Sequence, residues 1–319
     1  MRKLILICVI AISPLLSKAQ YYWDFGGGVG VANPLGDMGG KDLTRRDFVS
    51  DMKFQETRQA LNGFARYKIA QMFSIKAGIN YACLRGADSL STNPARHYRN
   101  LSFRNQTFEA NAMCEFYFYE VNDLGHTYRY KDNFRAFIGL GFGALYHNPK
   151  TYYNGSWVAL RPLMTENHKY STVTFDIPAE MGFYFTISKH YRIGWNLTWV
   201  TTFTDYLDDV SSQYADPSTL SPLAAALSDR TDHTAANYYG SANGLGSGWG
   251  NNFGYASYTD ADGVQHFNKR GDPTHNDSFL RSSVEFSYVI RGKSSLYRSH
   301  YSHLFKSNHG KHRKVRAKF

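Results

Sequence analysis

Apolar and polar residues alternate strictly in four stretches of the chain. Period-two alternation marks a strand whose two faces meet different surroundings. In residues 134–147 the even positions are Phe134, Ala136, Ile138, Leu140, Phe142, Ala144 and Tyr146. In 172–187 the odd positions are Val173, Phe175, Ile177, Ala179, Met181, Phe183, Phe185 and Ile187. In 191–204 they are Tyr191, Ile193, Trp195, Leu197, Trp199, Thr201 and Phe203, and in 279–291 the even series is Leu280, Ser282, Val284, Phe286, Tyr288 and Ile290. These 28 positions hold no charge, whereas the opposite faces carry Arg135, Asp176, Glu180, Arg192, Arg281, Glu285 and Arg291.

A weaker form of the same pattern predicts four more strands. Residues 21–31 place Trp23, Phe25, Val29 and Val31 on the apolar side. Residues 58–69 do the same with Leu61, Ala65, Tyr67 and Ile69, leaving Arg66 and Lys68 opposite. Residues 73–83 are apolar at odd positions, with Lys76 opposite. Residues 98–119 turn Phe108, Ala110, Ala112, Cys114, Phe116 and Phe118 one way, with Glu109 and Glu115 the other.

Alternation alone fits a soluble sandwich as well as a membrane barrel, and strand length separates them. Strands of soluble domains run to about five or six residues, while spanning strands need about 9–11. The four clearest runs are 13 to 16 residues long. Charges of both signs on one face and rings on the other fit a barrel with lipid outside and ion pairs within. The predicted fold is therefore all-β: an eight-stranded antiparallel transmembrane outer-membrane β-barrel. Its expected interior network is Arg66, Lys68, Lys76, Glu109, Glu115, Arg135, Asp176, Glu180, Arg192, Arg281 and Glu285.

The predicted joins alternate in length. Those at 70–72 and 188–190 are very short and that at 120–133 is medium, whereas 32–57, 84–97, 148–171 and 205–278 are long. Outer-membrane barrels have short periplasmic turns and long external loops. The long connections, above all 205–278, are thus expected outside. Eight strands leave an interior filled by side chains, which disfavours a conducting pore.

Composition sets the compartment. Arg2 and Lys3, an apolar stretch from Leu4 to Leu16, and Ser17-Lys18-Ala19 before Gln20 read as a signal peptide over 1–19. With it removed, residues 20–291 form the barrel. Only Cys83 and Cys114 then remain, too few for a disulfide scaffold, and both fall at outward strand positions. The formal net charge of +10 is concentrated in the tail. From Arg291 to Phe319 there are nine Lys/Arg and no acid, whereas residues 20–290 carry 24 basic and 26 acidic groups. A basic periplasmic tail over 292–319 follows, and a nucleic-acid-binding face does not. That tail is either a solvated extension or an arm for an anionic periplasmic partner, with Arg298, Lys306, Lys311, Arg313, Lys314 and Arg316 as contact residues.

Three motifs suggest other chemistry. The glycine runs 26–30 and 139–143 open no helix and lack a following Lys-Ser/Thr, so they are not phosphate loops. Gly139, Gly141 and Gly143 are expected to relieve crowding inside a narrow barrel. Asp205, Asp208 and Asp209 could offer oxygens to calcium, but lack EF-hand spacing and read as turn and capping residues. His147, Ser171 and His190 lie near strand ends, with nothing in the sequence to assemble them into a lipid-modifying triad. Residues 217–227 are expected to form a short helix and 237–258 an exposed loop. No catalytic, cofactor or metal site is predicted.

Several segments resemble a known family. Residues 26–37 (Gly-Gly-Gly-Val-Gly-Val-Ala-Asn-Pro-Leu-Gly-Asp) are similar to the opening of the PorG-type outer-membrane barrels of Bacteroidetes. So are Asn100-Leu101-Ser102-Phe103-Arg104-Asn105, Tyr146-His147-Asn148-Pro149-Lys150 and Asp205-Tyr206-Leu207-Asp208-Asp209-Val210-Ser211. The resemblance implies a non-enzymatic component of the type IX secretion system that anchors a periplasmic ring of PorK- and PorN-type proteins to the outer membrane. The expected partners are that ring and outer-membrane lipids, with no nucleic acid and no small-molecule substrate. The alternative is a surface barrel that binds ligand or host surface through its long loops.

Overall fold

The computed structural model describes residues 21–38, 52–70, 72–91, 94–122, 132–187, 190–231, 257–259 and 262–291. The signal segment 1–19, the basic tail 292–319 with its six contact residues, and most of 237–258 lie outside the described residues.

Eight long strands form a closed ring. They are β1 (Tyr21–Leu35), β2 (Arg58–Lys68), β3 (Phe73–Ala87), β4 (Ser102–Asn122), β5 (Asp132–Tyr146), β8 (Val173–Ile187), β9 (Tyr191–Thr202) and β12 (Ser278–Arg291). Each pairs antiparallel with the next in this order, and β12 pairs with β1 to close the circle. Closure leaves no open edge, which lipid could not hydrogen-bond. A hairpin of β6 (Lys150–Tyr153) and β7 (Ser156–Ala159) joins the ring by one bridge, Arg104 to Lys150. Its Asn154-Gly155 turn has φ of 46° and 83°, the left-handed pair a tight hairpin requires. A smaller ladder pairs β10 (Ser257–Thr259) with β11 (Gln265–Phe267).

The ring is inside-out relative to a soluble protein. Phe142, Ile79 and Phe175 are 74%, 72% and 71% exposed on the outer wall, while Glu115, Arg135 and Asp176 are 0% exposed within. No helix among the described residues is long and apolar enough to span a membrane, which leaves crossing by strands untouched. Aromatic pairs gather at one level of the wall, and a further pair stands at the other. Trp23–Tyr67, Phe73–Phe116, Phe134–Phe185 and Tyr191–Tyr288 sit near the end with short joins, and Tyr81–Phe108 sits near the other. Such girdles mark where a barrel meets the two membrane–water boundaries.

The structure revises several expected boundaries. Tyr98 and Arg99 are not strand but the end of a helix, Pro94–Arg99, which Asn100 terminates at φ 54°. β4 continues through the predicted join to Asn122, and β5 begins at Asp132. A register shift between Tyr117 and Tyr119 leaves Phe118 and Tyr119 both exposed and turns Glu120 toward the interior side. The β5–β8 ladder lapses between Leu140–Ala179 and Gly143–Asp176, beside Pro178, which has no N–H to give. Cys114 is exposed on the wall as expected. Cys83, at an outward strand position, is buried instead, in a recess it shares with Tyr152 and Trp157 of the hairpin.

Candidate functional site

Alternation along each strand carries every second side chain into a narrow lumen, and these side chains fill it. Arg66 donates through Nη1 to Asp24 at 2.7 Å and through Nε to Glu115 at 2.7 Å. Arg192 also donates to Asp24, at 2.8 Å, with its guanidinium 4.4 Å from the Tyr184 ring centre. Lys76 reaches Glu180 at 2.8 Å and Glu285 at 3.0 Å. Asn196 donates to both of these carboxylates, and Asn62 donates to Glu285 at 2.6 Å. Toward the end with long connections, Arg281 donates to Glu109 at 2.6 Å. Toward the other end, Arg135 pairs with Glu120 and lies over the Tyr117 ring. Tyr117, Phe137 and Tyr184 form a small aromatic core beside Arg66.

Buried charge is tolerable only when paired and hydrogen-bonded, and these strands supply partners from opposite walls. The recess left among Asp24, Arg66, Arg192 and Tyr184 measures about 10 Å³, room for about one water. Asp176 faces inward as expected, over Gly143, but accepts no hydrogen bond among the described residues. Lys68 is half-buried at the end with short joins, beside the Asp24–Arg66 pair.

The mouth at the other end is corked by the chain itself. Leu207 and Val210 enter an apolar layer with Ala32, Met38, Leu84, Phe103, Leu145 and Phe279 from the strand ends. Backbone and carboxyl groups lock this segment in place. Asn105 donates to the Leu207 carbonyl at 2.7 Å, and the Leu207 N–H donates to Asp277 at 2.9 Å. Asp208 accepts from the N–H groups of Met38 and Val210. Asp209, at φ 73°, accepts from Thr165 at 2.6 Å and Tyr170 at 2.7 Å.

Two arginines complete the cork. Arg99 makes a two-toothed pair with Asp88 and donates to the carbonyls of Asp37 and Arg270. Arg270 reaches Glu166 at 3.0 Å and the Asp209 carbonyl. Burial, with repulsion from Asp37, pushes the Asp208 carboxyl up to about 7. Burial pushes Asp209 up to about 6 against the pull of Arg270, and burial together with repulsion from Asp208 and Asp205 pushes Asp277 upward. The described part of the long 205–278 connection is thus a folded cap. Within it, Pro222–Ser228 is helical, displaced from the expected 217–227, where Pro217–Thr219 forms a 3-10 turn.

The residues considered for lipid chemistry do not assemble. His147 is buried beside Tyr170 at the corked mouth, and burial holds its imidazole down at about 4. His190 lies at the other end, against Val289. The Ser171 hydroxyl accepts from the Val173 N–H. Asp208 and Asp209 act as hydrogen-bond acceptors. Among the described residues, no group of three or more His, Cys, Asp or Glu is arranged to hold a metal.

Pattern reading missed Asp24 and Glu120 in the lumen, and Asp37, Asp88, Arg99, Glu166, Arg270 and Asp277 in the cap. Asp24 was detectable, because it stands between Trp23 and Phe25 on the inward parity of β1. Glu120 was hidden by the bulge that precedes it. The cap residues lie in aperiodic connections that carry no such signal.

Solved outer-membrane barrels are similar to this chain. Ail, the attachment invasion locus protein of Yersinia pestis, is 7% identical with a TM-score of 0.34, covering 84% of this chain and 99% of that one. OprG of Pseudomonas aeruginosa is 8% identical with a TM-score of 0.36, covering 85% and 97%. Neisserial surface protein A is 7% identical with a TM-score of 0.33, covering 85% and 97%. No curated protein matches the chain in sequence. A family model described as a domain of unknown function, DUF6089, matches residues 2–223, more than half of the chain, and the chain belongs to that family.

Proposed function

We propose that this outer-membrane barrel is a non-enzymatic anchor of the type IX secretion system, tying a periplasmic ring of PorK- and PorN-type proteins to the outer membrane. The observation that carries the reading is the doubly sealed lumen. Ion pairs fill the middle and the 205–210 segment closes the mouth, so the activity has to reside on the ends or the wall. In this reading the long connections lie outside, and the short joins and the 292–319 tail belong to the periplasmic side. There the nine Lys/Arg from Arg291 onward would meet an acidic protein surface. The PorG-like segments supply architecture: Asp205–Ser211 is the cork, and Asn105 with Asn148 buttresses it.

The test is removal of residues 293–319. The truncated chain should insert and fold, yet recover far less of the ring proteins from detergent-solubilised outer membranes. Undiminished recovery removes the tail from the mechanism. Deleting 237–258 separates this reading from a ligand-binding surface barrel: secretion should be spared here, while binding would be abolished in the rival case. Unaltered lipid A in a deletion strain would eliminate lipid modification.

A further inference from the structure

One quadrant of the outer wall breaks the apolar rule. Along β3 the outward residues Phe73, Ile75, Ile79 and Tyr81 give way to Arg85. Along β4, Phe116 and Phe108 give way to Gln106 and Arg104. The change falls just past the Tyr81–Phe108 ring pair, whose centres are 5.1 Å apart. Arg85 and Arg104 are direct register partners. Like charges placed opposite one another on a sheet repel, and among the described residues neither arginine forms an ion pair with a carboxylate. Lys150 adds a third cation through the bridge to Arg104. Trp157 lies under the Arg104 guanidinium at 5.5 Å.

Two open recesses flank this tryptophan. One, of about 520 Å³, is lined by Arg58, Arg85, Arg104 and Tyr152 among others, and the second, of about 320 Å³, by Arg104, Lys150, Phe108 and Tyr146. Among the described residues, no Asp or Glu lines either recess. Elsewhere on the wall, β8 and the residue after β9 expose Val173, Phe175 and Phe203 near the same end. The basic patch is therefore local.

We propose that Arg85, Arg104 and Lys150 bind the phosphate of an anionic lipid headgroup, whose acyl chains lie along the apolar wall beneath. An interposed phosphate turns a repulsive arginine pair into two charge-assisted, forked hydrogen-bonding arms. Tyr152 and Trp157 are of the type that settles at headgroup depth. The wall below, Tyr81 and Phe108 followed by Ile79 and Ala110, has no use for a free anion but continues the path of a lipid tail. The site depends on the barrel crossing a membrane and not on the secretion reading.

The test uses the full chain, refolded in detergent and moved into nanodiscs of phosphatidylcholine with a fixed minor fraction of lipid A. Lipid retained per barrel after detergent exchange is read by mass spectrometry, and folding by the heat shift in electrophoresis. Each basic side chain at an anionic lipid surface contributes about fivefold, so R85Q/R104Q should lose lipid A preference by roughly twenty-fivefold. Lys169→Gln, an exposed cation outside the patch, should retain it. In phosphatidylcholine alone, R85Q/R104Q should unfold at a higher temperature than the parent, and lipid A should raise the parent only. Should that variant fail to fold, Lys150→Gln with Trp157→Ala, on the hairpin outside the ring, should lower retention severalfold. Equal retention by the folded variants, or an equal loss with Lys169→Gln, overturns the site. Displacement of lipid A by inorganic phosphate overturns its assignment to lipid.

Discussion

Asp208 accepts the backbone N–H of Met38 at 2.9 Å, joining segments 170 residues apart across the barrel mouth. Its carboxyl, raised from 3.8 to about 7 by burial and by Asp37, keeps a proton that the unfolded chain has already lost over that window. The folded cap then binds more protons than the unfolded chain, so its stability falls as pH rises from about 4 to about 7. Asp209, raised to about 6, acts in the same sense. Hydrogen exchange at the Met38 and Val210 amides, corrected for intrinsic rate, should show a cap firmer at about pH 5 than at about pH 8, by on the order of 2 kcal/mol. Asp208→Asn should flatten that dependence.

Arg66 holds two carboxylates from different strands, Asp24 on β1 and Glu115 on β4. Arg66→Ala leaves both buried without their main counter-charge, which typically costs about 3–5 kcal/mol. Urea unfolding in micelles should show a loss of that size. Arg66→Lys, which keeps charge but not the forked geometry, should fall between. A loss no larger than for an exposed arginine would mean that the remaining partners, Arg192 on Asp24 and Tyr117 on Glu115, suffice without Arg66.

Gly141 and Gly63 offer a matched pair. A Cβ on Gly141 would lie 2.4 Å from the Ala112 carbonyl oxygen, a backbone atom that cannot swing aside. A Cβ on Gly63 meets nothing within 4 Å. Gly141→Ala should destabilise the barrel by about 1–3 kcal/mol, and Gly63→Ala should be close to neutral in the same melt.

The two seals can be separated electrically. Planar-bilayer recordings of the intact chain should show no steady open level. Leu207→Asp should loosen the cap, exposing Met38 and Val210 to exchange, yet still give no conductance, because Arg66, Lys76 and their acids block the middle. A stable open level in that variant would make the cork the sole barrier.

The ring was legible because lipid imposes a strict rule on every second residue, and strands long enough to span leave little freedom of register. The same rule placed Arg66, Lys76, Glu115, Glu180, Arg192, Arg281 and Glu285 on one side before any contact was known. It did not give their partners, because pairing across a lumen depends on stagger, which parity does not encode. Glu120 shows the limit within a strand, where one extra residue at Tyr117–Tyr119 reverses the faces. The hairpin of β6 and β7 did carry a sequence signal, Asn154-Gly155 between Tyr152-Tyr153 and Trp157-Val158, inside a segment expected to be loop. The partners within the cap carried none, since Arg99, Arg270 and Asp277 meet Asp88, Glu166 and backbone groups that are brought together only when the ring exists.

The seam between β1 and β12 has a consequence for biogenesis. The opening strand, Tyr21–Leu35, waits for a mate that is synthesised some 240 residues later, counting from its last residue to Ser278. Until then its Trp23, Phe25 and Val29 have no stable home in water. The wall therefore closes only once Ser278–Arg291 has been made, and a copy that stops short of it leaves one side of Tyr21–Leu35 without its partner strand rather than forming a smaller barrel.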